Sequence, residues 1–527
     1  MMTQPSLYSR VAVFLLALAL SGFADLAARA QDIAGGASVF LASAEVEAKL
    51  GKGIFTPVPN RAHAVKRFEK KTVARSVRAA HPQRQTTSTT STTTTPSNTQ
   101  TTNNSGDTGS RPLESTRPLG GPARRVMGAE DHNRQGDDLF DDGQYDKAAE
   151  SYQQAVHMKA DYVEAYVNLS ETYFNLGRYD DAVTAGKLAI QLKPDLAAAY
   201  HALGNAYLKL DRSAEAMAAL KQALSLDPND TEARNSLSLA YYDQGVAAYN
   251  ANKFDEALAA YQQAVTLNPN NADAQNNLGD VYRQLNKLTE AVEAYQQAVR
   301  SKPDLVDAYS DLSQTYDKLG KYPEAAEAYR QVIRLKPDDA EANNNMGYAL
   351  GKSKRWPEAI VAFQRAIQLK PDYAEAYSNL GWAYNNAGNL TAAIEPLNKA
   401  IQLKPDLPEG HFNIGITYSK LKQLKDALAA FQKTVQLKPD WPAAQNNLGF
   451  AYGSMGKWKE AIAAHKEAVR LKPDYQGAHY NLGMAYLISG DKKKAAEEYQ
   501  ILRTLNPNDA DVLYRQIYNK PPPTSHP

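Results

Sequence analysis

Asparagine recurs in this chain at a spacing that could do binding chemistry. Asn345, Asn379, Asn413, Asn447 and Asn481 stand 34 residues apart, and Asn168 and Asn277 fall in the same register. An asparagine side chain carries both a carbonyl acceptor and an amide donor, so a row of them could grip a peptide backbone without regard to its side chains. Three residues after each of the last five comes Tyr348, Trp382, Ile416, Phe450 or Met484, where the earlier equivalents are Glu171, Asn205, Asp280 and Gln314. Apolar residues in line along a groove would suit the side chains of a bound peptide; packing on a neighbouring helix is the competing reading.

Catalytic chemistry has no comparable signal. There is no cysteine, no glycine-rich phosphate loop after a strand, and only 9 histidines. His201, His411, His465 and His479 sit at helical positions of the repeating pattern and form no i, i+4 metal-ligand pair, so they read as packing or surface residues. The carboxylates are scattered. No catalytic residue, metal site or cofactor is expected.

The elements that position the asparagine row follow from a period. Leu-Lys-Pro-Asp recurs at Pro194, Pro337, Pro371, Pro405, Pro439 and Pro473, with looser versions at Pro228, Pro269, Pro303 and Pro507. With Ala160 standing for the missing first proline, eleven units end at 160, 194, 228, 269, 303, 337, 371, 405, 439, 473 and 507. If each unit is numbered so that the asparagine is position 6, positions 4, 7, 8 and 11 (Tyr377, Leu380, Gly381, Tyr384) lie on one face of a helix. Positions 17, 20, 24 and 27 (Leu390, Ala393, Leu397, Ala400) make a second stripe, separated from the first by a turn at Ala387-Gly388-Asn389. Position 20 is Ala in all eleven units and position 8 is Gly or Ser, which lets two helices approach closely. Each unit is then a helical hairpin that must stack to cover its apolar faces.

This pattern resembles the tetratricopeptide repeat, whose helices carry an aromatic, Leu, Gly, Tyr, Ala, aromatic and Pro at these offsets. The resemblance implies an all-α, right-handed α-solenoid of about eleven repeats over 127–507, in which positions 2, 6, 9 and 13 line a concave groove. The asparagine row is similar to the ladder in the repeat region of protein O-linked N-acetylglucosamine transferases, without their catalytic domain. The clamp by which tetratricopeptide chaperone adaptors grip a C-terminal carboxylate is missing. It needs Lys or Arg at positions 2, 5 and 6, whereas position 2 is mostly acidic and position 5 reads Asn344, Ser378, Phe412, Asn446 and Tyr480.

Several local expectations accompany this plan. Asp161 with Glu164, Asp338 with Glu341, Asp372 with Glu375 and Asp406 with Glu409 fit Asp-x-x-Glu capping boxes. The interval Pro228 to Pro269 is 41 residues, and the seven extra residues are nearly two helical turns, which predicts a longer first helix there. Pro396 falls inside a second helix and should bend it. Ala510 to Tyr518 suits a short capping helix, with Pro521-Pro522-Pro523 and the rest of 508–527 as its end.

The remainder of the chain is different in kind. Residues 1–30 read as a secretory signal, with Arg10 before the apolar run Val11 to Leu20 and Ala28-Arg29-Ala30 before Gln31. Residues 31–126 read as a disordered arm, basic from Arg61 to Arg84 and then rich in Thr and Ser. Residues 31–125 carry 14 Lys/Arg against 6 Asp/Glu, and residues 126–527 carry 43 against 51. The expectation is therefore a non-enzymatic scaffold exported to the bacterial envelope, periplasmic or extracellular and without a lipid anchor, that binds protein or peptide partners in its groove. The alternative is a structural protein whose basic arm docks on an anionic surface or on its own acidic repeats. No nucleic-acid partner and no membrane span after signal cleavage are expected.

Overall fold

The computed structural model describes residues 127–520; the signal, the arm and the proline-rich tail lie outside them. Among the described residues there are 23 helices and no strands. They form two compact units, one reaching Ala274 and one starting at Gln275.

The first unit holds four hairpins. These are α1 (Ala129–Asp141) with α2 (Tyr145–Met158), α3 (Val163–Asn175) with α4 (Tyr179–Leu192), α5 (Ala197–Lys209) with α6 (Ser213–Leu226), and α7 (Thr231–Asn250) with α8 (Phe254–Leu267). Next come α9 (Ala272–Gln284), where the second unit begins, and α10 (Leu288–Ser301). The second unit continues with α11 (Val306–Lys318), α12 (Tyr322–Leu335), α13 (Ala340–Lys352), α14 (Trp356–Leu369), α15 (Ala374–Asn386), α16 (Leu390–Leu403), α17 (Pro408–Lys420) and α18 (Leu424–Leu437). It ends with α19 (Pro442–Ser454), α20 (Trp458–Leu471), α21 (Gln476–Ile488), α22 (Lys492–Leu505) and α23 (Pro507–Tyr518). The described residues thus make eleven hairpins of an α-solenoid and one closing helix. Helix α7 has 20 residues where the other first helices have 13, as the longer interval predicts. No described helix is long and apolar enough to cross a membrane.

Packing inside a hairpin rests on one recurring pair. The side chain at position 24 lies against the bare backbone at position 8: Tyr152 on Gly136, Phe363 on Gly347, Leu397 on Gly381, Phe431 on Gly415 and His465 on Gly449. A Cβ added to Gly381 would stand 2.3 Å from Leu397 Cγ, which cannot retreat because Leu397 is fully buried. In the second repeat the sizes exchange, with Ser170 opposite Gly186. Between hairpins, a glutamine at position 25 donates to the tyrosine hydroxyl at position 11 of the next repeat: Gln153 to Tyr173 at 2.6 Å, Gln296 to Tyr316 at 2.7 Å and Gln432 to Tyr452 at 2.9 Å. First helices also pack on the first helix of the next repeat, as α15 does on α17.

The turn inside every hairpin contains one residue of positive φ. Gly143, Gly177, Gly320, Gly388, Gly456 and Gly490 supply six, and Asp211, Asn252, Asn286, Lys354 and Lys422 supply five. The bond from Asn389 N–H to Tyr384 O at 2.9 Å shows the reason, since the left-handed residue lets the chain satisfy the open carbonyls of the first helix.

The Asp-x-x-Glu boxes do not form. Helices α3, α15 and α17 are preceded by Tyr162, Tyr373 and Leu407, none of which caps through its side chain. The lysine that ends the preceding helix takes φ of −137° to −139° whether alanine follows it, as after Lys159, or proline, as after Lys370 and Lys404. Pro-Asp then occupies the middle of a turn, closed by Tyr373 N–H to Lys370 O and Leu407 N–H to Lys404 O, each 3.1 Å. The helix start is thereby displaced one residue past the aspartate. Side-chain caps appear where an Asp or Asn holds that later place: Asp230, Asn271 and Asp339 accept from Ala233, Ala274 and Ala342 at 2.8–3.0 Å. Glu375 instead meets Lys404 at 2.8 Å, and Glu130 meets Lys159 at 3.3 Å, each tying the first helix of a repeat to the end of its second.

Pro396 is buried at a position that is alanine in most repeats, and α16 continues through it from Leu390 to Leu403. Helix α23 starts at Pro507, earlier than Ala510, and buries Ala510, Leu513 and Ile517 against α21 and α22.

Candidate functional site

The asparagine column lies on the first helices, and its members have different surroundings. Asn168, Asn277, Asn345 and Asn413 are partly exposed, whereas Asn379, Asn447 and Asn481 are buried. Most of the amides reach back to the preceding repeat. Asn379 Nδ2 donates to Asn344 Oδ1 at 3.0 Å, Asn481 to Asn446 Oδ1 at 3.1 Å, and Asn413 to Ser378 Oγ at 3.2 Å. Asn168 donates to Asp137 at 3.0 Å. Asn447 turns its amide to the Ala443 carbonyl of its own helix at 2.9 Å, and its Oδ1 is buried without a hydrogen bond. Asn345 Oδ1 accepts from Asn344 at 3.2 Å.

The partners at position 5 are residues that sequence reasoning did not single out as a network. In the sequence Asn344, Ser378 and Asn446 stand out only as non-basic side chains. Their signal was spacing, because a position-5 group stands 35 residues before the next position 6, one repeat plus one residue. Asn385 is a further buried group of this kind. It accepts from Thr417 Oγ1 at 2.9 Å and donates to the Asn413 carbonyl at 3.1 Å, locking α15 to α17.

The apolar row divides in two. Tyr348 is buried and stacks on Trp382 with ring centroids 5.8 Å apart, and Trp356 meets Trp382 edge-on at 5.2 Å. Trp382 also covers Gly351, where a Cβ would stand 2.5 Å from its ring. These aromatics are packed together, with Trp382 keeping part of its surface. Ile416, Phe450 and Met484 are partly exposed.

Acids at positions 6, 9 and 12 are paired with hydroxyls or cations across the same face. Tyr152 donates to Asp137 at 2.8 Å and Tyr295 to Asp280 at 2.7 Å. Arg283 bridges Asp311 at 2.7 Å and Asp280 at 3.2 Å, so Asp311, which replaces the asparagine of its repeat, meets a cation where its neighbours meet an amide. Tyr329 donates to Asp317 at 2.9 Å, yet burial still pushes the Asp317 carboxyl up to about 7. Glu171 has no such partner, and burial together with the charge of Glu232 pushes it up to about 8.

The four histidines are held separately. His201 is fully buried 3.1 Å from Asp230, and burial lowers its pKa more than the acids raise it. His465 bonds Asn446 Oδ1 at 2.9 Å and is pushed down to about 3 by burial. For His479 burial pulls downward, but Glu498 at 2.7 Å and the Pro473 carbonyl at 2.9 Å outweigh it and hold the imidazole above its ordinary value. His411 bonds the Pro405 carbonyl at 2.9 Å. Among the described residues no three His, Asp or Glu side chains gather closely enough to hold a metal.

A tetratricopeptide repeat family model matches residues 133–197, 242–305, 310–374 and 345–408. Other models of the same repeat match 197–230, 408–441, 454–490 and 476–509. No curated protein matches the chain. Among solved structures it is similar to the Cut9–Hcn1 hetero-tetramer of the APC/C (16% identity, 75% of this chain and 97% of that one, TM-score 0.40). Yeast Tom70 is similar at 17% identity over 74% of this chain and 96% of that one, TM-score 0.38. So is YrrB, described as a repeat protein with an unusual peptide-binding site, at 23% identity over 36% of this chain and 97% of that one, TM-score 0.31.

Proposed function

Because the chain belongs to the tetratricopeptide repeat family, whose members are typically interaction scaffolds, we propose that it is a non-enzymatic scaffold that holds peptide segments of protein partners along the face made by its first helices. The observation that carries this reading is the row of partly exposed Trp382, Ile416, Phe450 and Met484, one per repeat on α15, α17, α19 and α21. Large apolar side chains kept at a surface in regular order are a surface for another chain. Beside them Asn413 and Asn345 keep part of their surface, which suits a backbone contact between apolar anchors.

Export supports the same picture. The apolar run after Arg10 and the Ala28-Arg29-Ala30 pattern send the chain to the bacterial envelope, with Gln31 as the first mature residue. Partners would then be envelope proteins. N-terminal sequencing of the chain recovered from a cell-envelope fraction is expected to begin at Gln31; an intact Met1 terminus in the cytoplasmic fraction would refute export.

The groove test uses truncations that spare the inter-repeat bonds. Ile416→Ala and Phe450→Ala should weaken a purified envelope partner at least tenfold, about 1.4 kcal/mol, with the circular dichroism and melting curve preserved. An unchanged affinity in both would overturn this reading. Asn379→Ala is a poor reporter, because it also breaks the bond to Asn344.

A further inference from the structure

Two hairpins carry the same three residues around their turn. Tyr348, Gly351 and Trp356 in the seventh repeat return as Phe450, Gly453 and Trp458 in the tenth, at positions 9, 12 and 17. No other repeat has an aromatic, a glycine and a tryptophan at these places. Position 9 lies one turn before position 12 on the same helix face. The tryptophan at position 17 comes over from the second helix, 3.2 Å from a Cβ built on Gly351 and 3.0 Å from one built on Gly453. Each set is a cradle of two aromatic side chains with bare backbone between them.

In the seventh repeat the chain fills this cradle itself. Trp382, from position 9 of the next repeat, comes within 2.5 Å of the Cβ place on Gly351, stacks on Tyr348 with ring centroids 5.8 Å apart and meets Trp356 edge-on at 5.2 Å. Tyr348 and Gly351 are buried beneath it.

In the tenth repeat the residue in the place of Trp382 is Met484. A thioether chain is narrower than an indole and bends to fill gaps, and Met484 packs against the core cluster that includes Tyr486 and Leu513. The three atoms nearest a Cβ on Gly453 all belong to Trp458, at 3.0, 3.6 and 3.7 Å. Phe450, Gly453 and Trp458 are each partly exposed. The same cradle is thus covered by an indole in one repeat and open to solvent in another.

The surroundings of the open cradle are basic. The turn of its own hairpin and that of the next, residues 454–460 and 489–494, hold five lysines against Glu460 and Asp491. All five lysines are exposed, and Asp491 is already paired with Lys494. A segment with acids beside its aromatic side chain matches that field.

We propose that Phe450, Gly453 and Trp458 are the seat for a tryptophan side chain of an acidic partner peptide, which takes the place that Trp382 takes on Tyr348, Gly351 and Trp356. The seat lies on the peptide-holding face and depends on the scaffold reading; what it adds is the anchor and the charge around it. A ring enclosed between two others is the kind of contact on which peptide affinity concentrates.

Three fluorescein-labelled peptides test this by polarisation with the full-length protein: Ser-Glu-Asp-Trp-Asp-Glu-Ser, the same peptide with alanine for tryptophan, and the same with lysine for each acid. The first should bind with a Kd on the order of 0.1 mM, at least tenfold tighter than either control. Met484→Trp supplies the indole from within and should weaken the first peptide at least tenfold, with the melting temperature held or raised. The wild-type protein labelled with 5-fluorotryptophan gives a second measurement on its 4 tryptophans. The first peptide should shift the fluorine signal of Trp458 and leave that of the covered Trp356 in place, the two being assigned with Trp458→Phe and Trp356→Phe. Equal binding of the first peptide and either control would overturn the proposal. So would a first peptide that binds Met484→Trp as tightly as the wild type, or that leaves the Trp458 signal unmoved. If Ile416→Ala still weakens an envelope partner in those cases, the scaffold reading stands and the seat alone falls.

Discussion

The amide of Asn379 on α15 donates to the side-chain carbonyl of Asn344 on α13 at 3.0 Å, joining two first helices across one repeat boundary. Both residues are buried. The bond therefore belongs to the stacking of repeats. Asn379→Ala leaves a buried acceptor unsatisfied and should destabilise the contact by about 1–3 kcal/mol. The double variant with Asn344→Ala should lose less than the sum of the two single changes. Hydrogen exchange of α13 and α15 measures both; simple additivity would show that the bond contributes nothing.

Gly381 and Leu397 share one space, and only one of them can be large. Gly381→Ala should cost about 1–3 kcal/mol by overpacking. Adding Leu397→Ala to it should cost less than Leu397→Ala does alone, because the new methyl group fills part of the cavity. The exchanged pair Ser170–Gly186 already shows that the fold accepts the reverse order of sizes. Denaturant titration of the three variants checks the ranking.

Lys354 and Lys422 hold the left-handed turn place that glycine holds in six other hairpins. A side chain there strains the backbone by about 1–2 kcal/mol, and the greater freedom of unfolded glycine offsets about half. Lys354→Gly and Lys422→Gly should each stabilise the protein by about 0.5–1 kcal/mol. Asn252→Gly should gain less, since asparagine tolerates this conformation. Melting temperatures decide the order.

Glu171 and His465 predict opposite responses to pH. The folded-state pKa of Glu171 is raised to about 8, so the folded chain binds the extra proton and stability falls as pH rises from the ordinary carboxylate range through that value. Glu171→Gln should raise the melting temperature at about pH 9 and leave it nearly unchanged at about pH 4. His465 is depressed from 6.5 to about 3, so the unfolded chain binds the extra proton and stability falls as pH drops through that window. His465→Tyr, the residue that faces Gly245 as Tyr261, should remove that part of the acid sensitivity.

By itself the sequence determined the repeat. A 34-residue period, alanine at position 20, glycine or serine at position 8 and proline at each boundary announce helical hairpins, because these are local constraints on backbone and volume. The 20-residue α7 was legible for the same reason: seven residues preserve the phase of a helix. Tertiary structure decided what the polar columns do. Whether Asn379 faces a ligand or Asn344, and whether Trp382 stands in a groove or leans on Tyr348 and Gly351, depends on how closely two first helices approach, and no single repeat encodes that distance. The capping boxes failed through the same limit at shorter range. Asp372 and Glu375 have the right spacing, but the turn after Lys370 displaces the helix start by one residue and Lys404 takes the glutamate.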